Sequence, residues 1–234
     1  MSMKKNIIIF FVSLLLFSAA AIVYNFAFKN PGQTSIMQIS FPKKVPVIPQ
    51  ESNNLDSAFI PYPSGYNFAQ TYNDCGPFNS AAVVRALTRE NVSSADFAKT
   101  ITHRIKYKWT LPEGITEQLN LYGITTEIPD LTEYSDNQKT SYLKERLILG
   151  RPIVLLIKKE DFQHYITLFG FDSGKNEFYI YDSLMQRLEG GLTKDENGDM
   201  PGNKTITTKK LLDMWSGGGM LGKYTWFAIV SSYK

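Results

Sequence analysis

Cys75 is the only cysteine among 234 residues, and it lies in Asp74-Cys75-Gly76-Pro77, directly before a helical pattern. A thiol there has a physical reason to be acidic. A helix N-terminus carries partial positive charge, which favours a thiolate, and a nearby imidazolium favours it further. About ninety residues later His164-Tyr165 opens a strand pattern, and Tyr181-Asp182 closes the next one. A thiol, an imidazole and a carboxylate brought together form a nucleophile, its base and the group that orients the base, the set needed to cleave an acyl bond through a covalent intermediate. A lone cysteine forms no internal disulfide, so the thiol is free for that chemistry. Gly76, with no side chain, is expected to let a substrate carbonyl approach the backbone.

The elements that must position these groups can be read from periodicity. From Pro77 the apolar residues Ala81, Val84 and Leu87 fall on one helical face. A second helix is predicted after Ser93-Ser94, carrying Phe97, Ile101 and Ile105, with His103 on its polar side as a solvated residue and fallback base. Pro112 opens a third helix that Gly123 stops, Ile124–Ile128 alternates as a short strand, and Gln138–Leu149 forms a fourth helix ending at Gly150. The remainder reads as sheet. Strands are predicted over Pro152–Lys158, Tyr165–Phe171 and Glu177–Asp182, and a final one over Tyr224–Ser231, after a polar loop of about 20 residues and a short helix at Thr208–Trp215. Helices first and an antiparallel sheet second describe an α+β domain.

The hairpin makes a sharp geometric claim. If Phe171 faces Glu177, paired positions sum to 348 and Asp182 lies opposite Ile166. His164 is then a diagonal neighbour of Asp182 on the same face, roughly 7–8 Å away between backbones. A slip of one residue would put the two on opposite faces. Asp172 sits at the far end of the hairpin, roughly 26 Å from His164 along the strand, and is excluded as the orienting group. Asp161, in the loop before the strand, ranks below Asp182.

The run Asp74-Cys75-Gly76-Pro77, then Leu143 to Val154 with Gly150-Arg151-Pro152, then His164 to Asp172, then Tyr179-Ile180-Tyr181-Asp182 resembles the papain-like cysteine peptidase superfamily. The similarity is greatest to its bacteriocin-processing, double-glycine peptidase-like branch and covers roughly residues 70–230. The resemblance implies a papain-like fold, with N-terminal helices packed on a C-terminal antiparallel sheet. It implies Cys75 as nucleophile, His164 as general base and acid, Asp182 as orienting group, and Gln70 as the glutamine that donates to the oxyanion. Gln70 stands five residues before Cys75, where papain-like sequences usually have six, and Asp182 is followed by Ser183 where a proline is common.

Residues 1–29 fix the expected address. Lys4 and Lys5 precede an almost wholly apolar run from Ile7 to Phe28, which is long for a secretory signal and long enough to span a membrane. An uncleaved single-span anchor with the domain outside the cytoplasm is expected, and a cleaved signal with a secreted domain is the alternative. Residues 30–64, rich in proline, read as an extended tether in which Val45–Ile48 adds an edge strand; residues 65–234 form the peptidase-like domain. A net charge of +3 with scattered lysines offers no stripe for nucleic acid. A peptide or protein substrate, a monomer, and no cofactor or metal are expected. Three functions stay open at this point: a thiol peptidase, a cell-wall peptide amidase or transpeptidase of the same fold, and an inactive papain-like module that binds a partner.

Overall fold

The computed structural model describes residues 45–46, 56–219 and 223–233. The expected anchor lies outside them, as does most of the tether. Among the described residues no helix is long and apolar enough to cross a membrane.

The chain folds as β1 (Val45–Pro46), β2 (Ser57–Phe59), α1 (Cys75–Thr88), α2 (Ser94–Thr100), α3 (Pro112–Asn120), β3 (Ile124–Glu127), β4 (Pro129–Asp130), α4 (Asp136–Ile148), β5 (Ile153–Lys159), β6 (Phe162–Asp172), β7 (Glu177–Tyr181), β8 (Lys204–Thr207), α5 (Thr208–Ser216) and β9 (Ala228–Tyr233). Helices dominate the first half and an antiparallel sheet the second, the α+β arrangement expected. The main sheet runs β3-β9-β5-β6-β7-β8, and β2 pairs with the turn end of β6. Of the short strand expected at Val45–Ile48, Val45–Pro46 is present as β1, which pairs in parallel with β4 in a separate two-stranded sheet, and residues 47–48 lie outside the described residues. The end of the proline-rich segment is structural rather than a bare spacer: Ile60 and Tyr62 join the core, where the Tyr62 ring stacks on Phe169 at 4.4 Å.

Local chemistry explains the helix limits. Pro77 sits in the first turn of α1, where a missing N–H costs nothing. Ser93 and Thr207 cap α2 and α5, and Ser135 with Gln138 forms a capping box on α4. Gly123 and Gly150, the predicted stops, adopt φ of 71° and 70°, which favours glycine. The second helix ends at Thr100, earlier than its apolar spacing suggests. Ile105 and His103 therefore lie in a loop, with His103 at φ 51°.

The core gathers where Leu155, Ile157, Ile166, Leu168 and Ile180 of the sheet pack with Leu143 and Leu147 of α4 and with Leu211 and Trp215 of α5. Thr167, which points to the other sheet face by the period of two, meets Asn79 of α1.

The hairpin register differs from the simple expectation at one end and matches it at the other. At the turn Asp172 pairs with Glu177 and Phe171 with Phe178, so positions sum to 349. A bulge between Leu168 and Gly170 then absorbs one residue, and Leu168 pairs with Ile180 and Thr167 with Tyr181, a sum of 348. The bulge restores the phase that places His164 and Asp182 on one face.

Candidate active site

Cys75 is the first residue of α1 and is half-buried. β7 ends at Tyr181, opposite Thr167, so no β7 residue pairs with the end of β6 from Ile166 to Phe162. The start of α1 lies along this unpaired flank. Asn79, fully buried one turn after Cys75, donates to the carbonyls of Cys75 and Tyr165, both at 2.8 Å, and accepts from the Thr167 hydroxyl at 2.6 Å. One amide thus pins the helix start to the strand that carries the histidine.

His164 is 1% exposed, and its Nε2 lies 2.8 Å from Asp182 Oδ1. The other ring nitrogen is left to serve Cys75, with which the imidazole is hydrogen-bonded. Asp182 is held on every side. Its second oxygen, Oδ2, accepts from Lys159 Nζ at 2.7 Å, and Oδ1 also accepts from the Leu184 N–H at 2.9 Å. Buried Asn203 accepts from the Asp182 N–H at 2.8 Å and donates to its carbonyl at 2.9 Å.

The electrostatics follow from these contacts. Burial pushes the Cys75 thiol up, but the His164 hydrogen bond and charge, with the N–H groups of Tyr165 and Gly76, outweigh it and hold the thiol below its ordinary value. Burial opposes the His164 imidazolium. Hydrogen bonds and charge from Asp182 and Cys75 overcome that and raise the ring to about 9. Burial likewise works against the Asp182 carboxylate, yet His164 and Lys159 hold it well below the usual carboxylate range. These shifts run in the directions that favour a thiolate beside an imidazolium.

A cleft of about 370 Å³ opens over this pair, lined by Gln70, Thr71, Tyr72, Phe162 and Leu184 beside Cys75 and His164. Gln70 therefore shares the cleft with the thiol. Its N–H donates to the Ser183 carbonyl at 2.8 Å, and its side-chain oxygen accepts from the Ser183 hydroxyl at 2.7 Å. The structure brings Cys75, His164, Asp182 and Gln70 to one place. His103 goes elsewhere, to Glu117 at 2.8 Å, and Asp172 binds the Lys175 N–H at the hairpin turn. Gly76 has a packing reason as well: a Cβ there would sit 2.7 Å from the Thr110 side chain, so the glycine admits the loop before α3.

Three supporting residues escape a reading of the sequence alone. Asn79 has one available signal, a lone amide amid the apolar residues of α1. Lys159 reads as the polar end of a strand, and Asn203 as part of a polar loop.

The sequence model of the Peptidase_C39 like family matches residues 42–199, a span that includes Gln70, Cys75, His164 and Asp182. The chain belongs to this family. It is a papain-like cysteine peptidase, as the order of its motifs implies. No curated protein matches it. Among solved structures 16 chains match. The peptidase domain of Streptococcus ComA, a bi-functional ABC transporter involved in a quorum sensing pathway, is 21% identical, with 71% of this chain and 97% of that one covered and a TM-score of 0.47. A double glycine motif protease from an AMS/PCAT transporter, in complex with the leader peptide, is 14% identical, with 76% and 95% covered and a TM-score of 0.49.

Proposed function

We propose that this C39-like peptidase is a membrane-tethered enzyme that cleaves a peptide bond outside the cytoplasm, using Cys75, His164 and Asp182. The observation that carries the reading is the buried His164–Asp182 contact of 2.8 Å beside a thiol of lowered pKa. The Cys75 thiolate attacks the scissile carbonyl. The negative charge that develops on the carbonyl oxygen meets the N–H of Cys75 at the helix start and the amide of Gln70. The His164 imidazolium gives its proton to the leaving amine, then takes one from the water that hydrolyses the thioester. Asp182 holds the ring in orientation through both steps. The apolar run from Ile7 to Phe28 supports the tether, and the lysines before it support a domain outside. Membership of a peptidase family supports a peptide as the substrate class.

The test is alkylation of Cys75 by iodoacetamide from pH 4 to 10 in the full chain, alongside turnover of a generic ester, N-acetylglycine p-nitrophenyl ester. The imidazolium exists below about 9 and the thiolate above its own lowered value. The thiol is therefore expected to alkylate quickly well below the free-thiol pKa of roughly 8.5. Ester turnover is expected to be bell-shaped, falling on the alkaline side near 9. Wild-type turnover by Cys75→Ala would end the proposal.

A further inference from the structure

Gln70 carries both a donor and an acceptor on one amide, and only the NH₂ end is useful to an oxyanion. Turned the other way, the amide would present its own oxygen to the developing charge and repel it. Something must therefore fix the amide's orientation. The structure offers a latch for this purpose. Ser183 is 1% exposed, directly follows Asp182, and grips Gln70 at two points: its carbonyl takes the Gln70 N–H at 2.8 Å, and its hydroxyl donates to the Gln70 side-chain oxygen at 2.7 Å. With the amide oxygen engaged on Ser183, the NH₂ is the end left for the cleft that Gln70 lines beside Cys75.

We infer that Ser183 is a positioning residue that holds the Gln70 amide with its NH₂ toward the oxyanion, an inference that rests on the thiol-peptidase reading above. The two grips also account for the short spacing between Gln70 and Cys75. The glutamine is not placed by its distance along the chain from the nucleophile. It is placed from across the cleft, by the residue that follows the orienting carboxylate. A backbone contact fixes where Gln70 begins, and a hydroxyl fixes which way its amide faces. The same short segment, Asp182-Ser183, thereby orients the base through one residue and the oxyanion donor through the next.

The experiment compares four full-length proteins, wild type, Ser183→Ala, Gln70→Ala and the double variant, in two assays. Turnover of N-acetylglycine p-nitrophenyl ester passes through an oxyanion. Alkylation of Cys75 by iodoacetamide does not, so it reports only the thiolate. Gln70→Ala is expected to lower ester turnover about 100-fold, the usual loss for one oxyanion donor. Ser183→Ala is expected to lower kcat about tenfold with little change in KM, because a freed amide still samples the useful orientation. Both variants should alkylate at the wild-type rate and pH, which a general disturbance of the site would not allow. Adding Ser183→Ala to Gln70→Ala should cost nothing more, since there is no amide left to aim. A Ser183→Ala loss that persists undiminished in the Gln70→Ala background overturns the inference while leaving the peptidase reading intact. Wild-type turnover by Gln70→Ala removes the oxyanion role and the inference with it, whereas the reading of Cys75 is judged separately by Cys75→Ala. A check independent of how Ser183 variants fold is Gln70→Glu, which keeps an acceptor for the Ser183 hydroxyl but puts an oxygen where the NH₂ belongs. Its ester turnover should fall at least as far as that of Gln70→Ala, and wild-type turnover would refute the orientation.

Discussion

The two halves of the site are held by different physics. The nucleophile's half is a helix end fixed by side chains: Asn79 ties it to β6, while Asp74 bonds with Thr71 and pairs with Arg104 at 2.7 Å. The base's half is a sheet, in which the backbone ladder sets the face of every side chain and one bulge sets the phase. The difference teaches where each half is vulnerable. The sheet half depends on register and charge, and its defects should show in the pH profile. The helix half depends on a few buried hydrogen bonds, and its defects should show as lost stability.

The largest effect is expected on the sheet side. His164→Ala removes both the proton carrier and the cation that stabilises the thiolate, so ester turnover should fall on the order of 10³-fold or more. Alkylation should lose its low-pH reactivity and rise only as the thiol reaches an unassisted pKa. Asp182→Asn should cost less, about tenfold, because an amide can still accept from the ring. Its diagnostic is the alkaline limb. Losing the carboxylate disfavours the imidazolium, so His164 must titrate lower and the limb near 9 must move toward neutrality. A limb that stays in place would show that Asp182 does not set the charge on the ring.

On the helix side, Asn79→Ala leaves the Tyr165 carbonyl and Thr167 hydroxyl without the buried partner they now share. A loss of about 2 kcal/mol is expected. In a domain of this size that is about 4–8 °C in Tm, read by thermal unfolding. If Asn79→Ala kept its Tm but shifted the pH profile, the division between the two halves would fail.

The same division explains what can be read from the sequence. Types and order are enough for the catalytic constellation, because nucleophile, base and carboxylate chemistry needs particular side chains. Period-two arithmetic places His164 beside Asp182 although its anchor at the turn is one residue off. The bulge around Phe169 corrects the phase, and no apolar pattern can announce it, since Phe169 and Phe171 are equally buried. Strand β8, Lys204–Thr207, reads as loop because it is polar and gains its identity only by pairing with β7. Asn79 and Asn203 escape notice for a related reason. A buried amide is defined by the carbonyls it reaches, and those come from distant parts of the chain.

Lys159 gives the finest test of the comparison, because its effect should oppose that of Asp182. Its ammonium and the His164 ring contact the two oxygens of one carboxylate, at 2.7 and 2.8 Å. The two cations therefore share a counter-charge and repel each other. Lys159→Met removes the competitor. Asp182 then gives its full field to the imidazolium, so His164 should titrate higher and the alkaline limb should move up from about 9, by less than about one pH unit. Asp182 itself loses one of the two cations that hold its carboxylate low, so its pKa rises, but it remains ionised while His164 is charged beside it. Turnover at neutral pH should change only a few-fold. With the lysine side chain one-fifth exposed, added salt should shrink the difference between the two proteins. Opposite displacements of one limb by Asp182→Asn and Lys159→Met would place control of the ring's charge in the sheet half. Displacement in the same direction would mean that Lys159 acts by packing, not by charge.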